Sequence, residues 1–178
     1  MINHVTKHPL KRTECRLGLC KPRYITIHET SLETEKKEPE RNAAHYIDLL
    51  EHPKGDPRYG YHFLCSDTDV FQFLPTWIRT AHAGTDEGNS SIGIERLVNV
   101  KIDFDQAIKN QAKLAATLMH IYNIPIDNVV THYHWSGKQC PARLLAGMYG
   151  WNWERFIQTV LSYFKSKDFF VDVDEGVI

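Results

Sequence analysis

Residues 131–141 carry the most informative chemistry in the sequence. They follow a run that is typical of a β-strand, and the nine residues from His132 to Cys140 also include Lys138. Imidazole nitrogen and thiolate sulfur are preferred ligands of zinc, and a lysine between them could stabilise a developing oxyanion. The segment therefore predicts two ligands and a cation of a zinc site, and it requires a third ligand and a base from elsewhere.

Three polar residues lie at the ends of predicted strands, namely His28, Glu95 and His132. Those strands are predicted at residues 24–27, 91–94 and 128–131. Because open α/β sheets place their sites at the carboxyl ends of strands, we expect these side chains to meet. Two histidines and one cysteine would leave one zinc position open for a water whose pKa falls to about 7. Glu95 could accept the proton of that water.

The third expected ligand, Cys140, precedes Pro141, and proline is favoured at the first position of a helix. We therefore expect the thiol at a helix N-terminus, where the helix dipole favours the thiolate. A lone histidine at a strand end is more often structural, and Glu95 could simply pair with Arg96. The three expected ligands together nevertheless favour a metal.

The rest of the chain predicts one α/β domain with a central mixed β-sheet flanked by helices. The clearest helix covers residues 105–123, and Pro125 beyond it is a helix stop. We place the domain at residues 1–165 and interpret residues 166–178 as an acidic tail or linker. Further strands are predicted at 61–65 and 70–74, paired as a hairpin, and further helices at 38–51, 141–149 and 151–165.

Composition excludes several classes of function. A net charge of −1 disfavours a nucleic-acid partner, and no segment is apolar and long enough to insert into a membrane. The polar, basic first residues do not resemble a secretory signal peptide. Cys15 and Cys20 are expected to be reduced thiols, with half of a second metal site as the alternative, and Cys65 is expected in the core.

Five short motifs occur in order along the chain. They are YITIH at 24–28, YHF at 61–63, AHAG at 81–84, SIGIE at 91–95, and the run from His132 through Lys138 to Cys140-Pro141. Together they resemble the zinc-dependent N-acetylmuramoyl-L-alanine amidases of the amidase_2 type, which include phage endolysins and peptidoglycan-recognition proteins. The resemblance covers roughly residues 23–145.

The resemblance implies roles for the strand-end residues. By position, His28, His132 and Cys140 match the zinc ligands, Glu95 the acidic residue that assists the metal-bound water, and Lys138 the basic residue beside the metal.

Four further residues are matched without a definite role. Tyr61 matches a position at which some members hold a catalytic tyrosine and others a phenylalanine. His62 and His82 are expected to line the groove, where they could support the metal ligands, contact the substrate or be structural histidines. His134 falls where many relatives have another residue, which argues against an essential function.

The implied activity is cleavage of the amide bond between N-acetylmuramic acid and the L-alanine of the peptidoglycan stem peptide. The lack of a signal peptide suits a phage or prophage lysin that reaches the cell wall after release, with peptidoglycan as its partner and no dedicated protein partner evident. Three alternatives stay open. They are a non-catalytic peptidoglycan-binding module, an intracellular muropeptide-recycling amidase, and a structural zinc domain with His134 as fourth ligand.

Overall fold

The computed structural model describes residues 4–30, 43–99 and 101–173 of the 178-residue chain. Within these ranges a mixed sheet forms the centre of the domain. Its strands are β1 (Thr6–Lys7), β2 (Ile25–Ile27), β3 (Phe63–Cys65), β4 (Val70–Gln72), β5 (Ile92–Arg96) and β6 (Val129–Thr131). They lie side by side in the order β1-β4-β3-β5-β2-β6. The β3–β4 hairpin is antiparallel, as predicted, and the other neighbouring strands are parallel.

Five α-helices are present in the described part of the chain. They are α1 (Ala43–Glu51), α2 (Phe104–Tyr122), α3 (His132–Ser136), α4 (Ala142–Leu145) and α5 (Trp153–Ser166). Helix α2 is defined at both ends by local chemistry: the Asp103 side chain accepts a hydrogen bond from the Gln106 N–H, and Asn123 adopts the left-handed conformation just before Pro125. Short 3-10 helices cover Gly88–Ser90, Ile126–Asn128 and Met148–Gly150.

The helices cover both faces of the sheet. In β3, Phe63 and Cys65 join the core cluster that contains residues of α2 and α5, whereas Leu64 joins Tyr46 and Leu50 of α1 in a second cluster. This alternation follows from the two-residue period of a strand. The predicted fold, a single α/β domain with a mixed sheet flanked by helices, is confirmed.

Three neighbouring parallel strands bring the predicted site residues to one edge. Ile27 of β2 lies opposite Ile94 of β5 and Thr131 of β6. The next residue along each strand direction is a predicted site residue. His28 and His132 directly follow β2 and β6, and Glu95 lies within β5. The expectation that these strand ends meet is therefore confirmed.

Several boundaries differ from those predicted. The helix expected at 141–149 is only α4, with Pro141 outside it as N-cap, because Gly147 then turns the chain at a φ of 71°. Strand β1 was not predicted, and Tyr61 precedes β3 rather than belonging to it. Residues 38–42 of the helix expected at 38–51 lie outside the described residues.

The residues after α5 contact the domain as far as Val173. Phe170 is buried in the main core cluster, its N–H donates to the Thr117 hydroxyl at 3.0 Å, and Asp168 pairs with Lys113 at 2.7 Å. The domain boundary at residue 165 stays a prediction.

Two further expectations concern the state of the cysteines and membrane-spanning segments. All four cysteines are free, and Cys65 is fully buried in the core, as predicted. Among the described helices, none has the length and hydropathy needed to cross a membrane.

Candidate metal centre and active site

His28, His132 and Cys140 form a buried cluster of three ligand atoms. These atoms all lie within 4.8 Å of one another. His28 Nδ1 is 3.1 Å from His132 Nδ1 and 3.9 Å from Cys140 Sγ. The structure thus brings together the three residues that the sequence predicted as metal ligands.

The donor set fits zinc. Two Nδ1 atoms at 3.1 Å cannot both carry protons without repulsion, and two nitrogens bound tetrahedrally at 2.0–2.1 Å from zinc lie about 3.3 Å apart. Two imidazoles and one thiolate leave a fourth tetrahedral position, and the site opens into a cavity from which that position can be reached. The residues present could therefore hold a catalytic rather than a structural zinc ion.

Hydrogen bonds fix the backbone and the ring of His28. Its N–H donates to the Ile94 carbonyl at 2.9 Å, and its carbonyl accepts from Gln111 Nε2 of α2 at 2.9 Å. The same Gln111 nitrogen also donates to the Ile94 carbonyl at 3.0 Å, so one buried amide joins α2 to the ends of β2 and β5. The His28 ring contacts His82, with Nε2 at 2.9 Å from His82 Nδ1.

A tight loop brings Cys140 back to His132. Helix α3 ends after one turn at Gly137, which has a φ of 72° and donates its N–H to the Tyr133 carbonyl at 2.9 Å. The Tyr133 N–H donates to the Cys140 carbonyl at 3.1 Å. Glycine adopts a positive φ without the strain that a side chain usually brings, so Gly137 closes the loop between the two ligands.

The expected helix-dipole effect on Cys140 is wrong. Helix α4 has four residues, about one turn, and its N-cap is Pro141, so little dipole acts on the thiol. Burial dominates and raises the pKa of Cys140 to about 12, with the neighbouring Glu95 carboxylate as a smaller cause in the same direction. A bound cation is therefore what would stabilise the thiolate.

Glu95 lies beside the three candidate metal ligands. Its Oε1 is 4.0 Å from His28 Nδ1, and its Oε2 has no hydrogen-bond partner among the described residues. Burial raises the pKa of Glu95 to about 8, and the positive charge of Lys138 partly opposes this shift. A carboxyl group with a pKa near neutrality suits proton transfer.

Lys138 is exposed and lines the cavity beside the cluster. Its charge also affects His132, whose pKa falls to about 4 because of burial first and Lys138 second. The cation therefore faces the same space as Glu95 and the ligand atoms.

Of the remaining expected groove residues, His62 is structural. Its Nε2–H donates to the Ile78 carbonyl at 2.8 Å, and its Nδ1 accepts from the Gly93 N–H at 3.0 Å. Tyr61 and His82 do line the cavity. Tyr61 is almost fully buried, and its hydroxyl has no hydrogen-bond partner within the described ranges.

His134 does not lie with the three candidate metal ligands. Its side chain is exposed on α3, and its ring packs edge-on against Trp135. Within the described residues, the group able to hold a metal consists of His28, His132 and Cys140. A structural site with His134 as fourth ligand is therefore not supported.

Sequence reasoning missed two features of the site. The Tyr59 hydroxyl interacts with Glu95 by hydrogen bonding and lowers the pKa of that carboxyl group. Glu29 forms a buried ion pair with Arg96, and it accepts from the N–H and Nη1 of Arg143. The acidic residue directly after His28 was the available signal for that network.

The cavity has a volume of about 400 Å³ and a mixed lining. Its polar lining residues include the three candidate ligands with Glu95, Lys138 and Arg143. Its aromatic and aliphatic lining residues include Tyr46, Leu49, Leu50 and Tyr59.

Comparison with known proteins gives a consistent result. The family model described as N-acetylmuramoyl-L-alanine amidase matches residues 19–143. The chain is 39% identical over 127 residues to N-acetylmuramoyl-L-alanine amidase XlyA of Bacillus subtilis, covering 70% of this chain and 41% of that protein. It is 35% identical over 149 residues to CwlH, an amidase of the same organism, covering 79% of this chain and 54% of that protein. The chain thus spans about half the length of the curated relatives it matches.

A solved structure matches most of the chain. The catalytic domain of XlyA superposes with a TM-score of 0.76 at 32% identity, covering 88% of this chain and 99% of that domain. Since the matched family region runs from before His28 to Arg143, it contains Glu95 and all three candidate metal ligands. By fold, sequence and site, the chain belongs to the N-acetylmuramoyl-L-alanine amidase family.

Proposed function

We propose that this chain is a zinc-dependent peptidoglycan hydrolase. It cleaves the amide bond between the lactyl group of N-acetylmuramic acid and the L-alanine of the stem peptide, in the manner of a phage-type lysin. The observation that carries the proposal is the convergence of His28, His132 and Cys140 within 4.8 Å, with the Glu95 carboxyl group beside them at an open cavity. The relatives named as N-acetylmuramoyl-L-alanine amidases support the choice of bond.

His28, His132 and Cys140 would hold the zinc ion. Bound there, zinc supplies Lewis-acid polarisation of the scissile carbonyl and activation of water at neutral pH. The protein contributes a fixed donor geometry, because the two histidines follow adjacent strands and the cysteine is returned to them by the loop that Gly137 closes.

Glu95 acts as the proton carrier. Its carboxylate takes the proton of the attacking water and passes it to the nitrogen of L-alanine as the carbon–nitrogen bond breaks. Its position 4.0 Å from His28 Nδ1 and its otherwise unpartnered Oε2 suit a group that must bind a water and then a leaving amine. The Tyr59 hydroxyl and Lys138 keep the carboxylate form accessible, because both lower the pKa that burial raises.

Lys138 stabilises the oxyanion. During attack, negative charge develops on the carbonyl oxygen of the lactyl amide, and a nearby ammonium group lowers the energy of that state. The charge of Lys138 lowers the pKa values of both Glu95 and His132, which supports a role for it near the reacting carbonyl.

The mixed lining of the cavity suits a glycopeptide. A sugar ring and the methyl groups of lactate and alanine can pack against aromatic and aliphatic side chains such as Tyr46 and Leu49. Glu95 and Lys138 then face the amide that reacts. Peptidoglycan is therefore the proposed substrate, met by the protein at the cell wall after its release.

The test is a digestion of purified Bacillus subtilis cell wall with zinc-loaded protein, with and without a chelator. New amino termini of L-alanine and new reducing sugar ends are measured separately. The proposal requires chelator-sensitive release of L-alanine amino termini without reducing ends. Reducing ends alone would indicate a glycosidase, and wall binding without either product would indicate a binding module.

A further inference from the structure

His82 is buried against His28 but is not one of the three candidate metal ligands. It is 6% exposed, and both of its ring nitrogens have a partner. Nδ1 lies 2.9 Å from His28 Nε2, and Nε2 lies 3.2 Å from the Ser91 carbonyl oxygen. The ring therefore connects the backbone before β5 to the side chain of a proposed ligand.

The direction of these hydrogen bonds follows from elementary chemistry. A carbonyl oxygen can only accept, so the Ser91 carbonyl requires the proton of His82 on Nε2. The Nδ1 of a neutral His82 is then an acceptor, and His28 must donate from Nε2. The lone pair of His28 is left on Nδ1, the atom that faces His132 and Cys140.

A glycine holds the His82 ring in this position. A Cβ atom on Gly93 would lie 2.9 Å from Nδ1, 3.0 Å from Cε1 and 3.1 Å from Cγ of His82. The first contact is closer than a Cβ atom normally approaches and the other two are tighter than most, so the ring packs against bare backbone of β5. The Gly93 N–H is held in turn by His62 Nδ1 at 3.0 Å.

We propose that His82 is a positioning residue that fixes the tautomer and orientation of the His28 ring, so that Nδ1 presents its lone pair to the metal. The Ser91 carbonyl sets the tautomer of His82, and His82 sets that of His28. Such partners of metal-binding histidines raise ligand basicity, and their loss typically costs 10–100-fold in metal affinity. The inference rests on the proposed zinc function and assigns to that site a residue that never touches the metal.

The first test needs no substitution. In zinc-loaded wild-type protein labelled with ¹⁵N-histidine, NMR reports the protonated nitrogen of each ring. The expected result is a proton on Nε2 and none on Nδ1 for both His28 and His82. A proton on His28 Nδ1, or on His82 Nδ1, would overturn the assignment.

The second test compares two substitutions of almost equal size. Asn in place of His82 keeps an acceptor oxygen where Nδ1 stood, whereas Leu removes it. We expect His82→Leu to weaken zinc binding 10–100-fold in a competition assay with a chelator, and His82→Asn to stay within about threefold of wild type, since most of the effect lies in the acceptor. Equal weakening by both variants would reduce His82 to a packing role and overturn the proposal.

Two further variants complete the design. Gly93→Ala should displace the His82 ring and lower zinc affinity in the same direction as His82→Leu, and His134→Leu should leave it unchanged, because His134 lies outside the cluster. If His82→Leu and wild type bind zinc equally, the positioning role is wrong and the zinc site stands. If the wild-type protein binds no zinc, the proposed function fails with it.

Discussion

The Nδ1 atoms of His28 and His132 lie 3.1 Å apart, although the two residues are 104 positions apart in the sequence. The distance is set by the sheet, because each histidine directly follows one of two adjacent parallel strands in which Ile27 pairs with Thr131. At this distance a proton on one nitrogen, or a cation bound by both, prevents repulsion between the two lone pairs. The fold therefore holds the two nitrogens at a separation that one metal ion can bridge.

Zinc should consequently stabilise the folded protein. With free zinc at 100 times its dissociation constant, binding adds about 2.7 kcal/mol to the free energy of unfolding. For a domain of this size that corresponds to a rise in Tm of about 5–10 °C, to be measured by calorimetry with zinc and with a chelator. His28→Ala is the control, since it should show no zinc-dependent shift. A wild-type Tm that is the same with zinc and with the chelator would contradict the prediction.

Glu95→Gln should separate metal binding from turnover. The amide has the shape of the carboxylate but cannot carry a proton between water and leaving amine, so kcat should fall by about 10²–10⁴-fold. Zinc content should be unchanged, because Glu95 is not among the ligand atoms of the cluster. The activity is measured as release of L-alanine amino termini. Glu154→Gln, an exposed carboxylate of α5, is the matched control. Near-native activity of Glu95→Gln would contradict the proposed role of Glu95 as proton carrier.

Lys138→Met should lower kcat and leave zinc bound. Loss of one group that stabilises an oxyanion typically costs about 10²–10³-fold. Lys138→Arg keeps the positive charge with a different shape, so its activity should lie between those of wild type and Lys138→Met. Lys165→Met, at an exposed position of α5, controls for loss of a surface lysine. Equal activities of the Arg and Met variants would show that the charge of Lys138 does not act on the reaction.

The sequence predicted the site better than the elements around it. His28, Glu95 and His132 were placed correctly because the hydrophobic runs before them are short, β-branched and unambiguous. Parallel strands then bring their carboxyl ends to one edge with no further information. The return of Cys140 to this edge depends on the conformation of Gly137 and on the Tyr133–Cys140 hydrogen bond, which no periodicity reveals.

The parts that sequence reasoning missed depend on contacts between distant residues. The helix-dipole argument for Cys140 failed because local sequence does not report burial, and burial controls the pKa of that thiol. Tyr59 reaches Glu95, and Glu29 reaches Arg96, only through tertiary packing. The two-residue strand β1 is too short to show alternation and is stabilised by its pairing with β4.

Glu29→Ala should destabilise the fold strongly. Arg96 is fully buried, and its guanidinium pairs with the Glu29 carboxylate while stacking 4.4 Å from the centre of the Phe104 ring. Removing one partner of a buried ion pair leaves an uncompensated charge and costs about 3–5 kcal/mol. Urea unfolding monitored by circular dichroism gives this value. Glu154→Ala should change the free energy of unfolding by less than about 1 kcal/mol, since surface charges contribute little. Similar midpoints for the two variants would show that the network is not needed for stability.

The buried His62 should make the fold sensitive to acid. Burial lowers its pKa to about 4, whereas an unfolded histidine titrates near 6.5. Between these values the unfolded chain binds more protons than the folded one, so stability falls as pH drops from about 6.5 to about 4 and is fully present above that window. The shift corresponds to about 3 kcal/mol at most.

Urea unfolding at several pH values between 7 and 4 measures this dependence in wild type and in His62→Gln. Glutamine does not titrate, so the variant should lose less stability over the same interval even if it starts lower at pH 7. The proposed zinc ligands are common to both proteins, and the difference between the two curves therefore isolates His62. Parallel curves would mean that His62 titrates alike in the folded and the unfolded chain, and they would contradict the prediction. The two hydrogen bonds of the ring favour the neutral form in the fold, because its Nδ1 accepts from the Gly93 N–H and only its Nε2 donates.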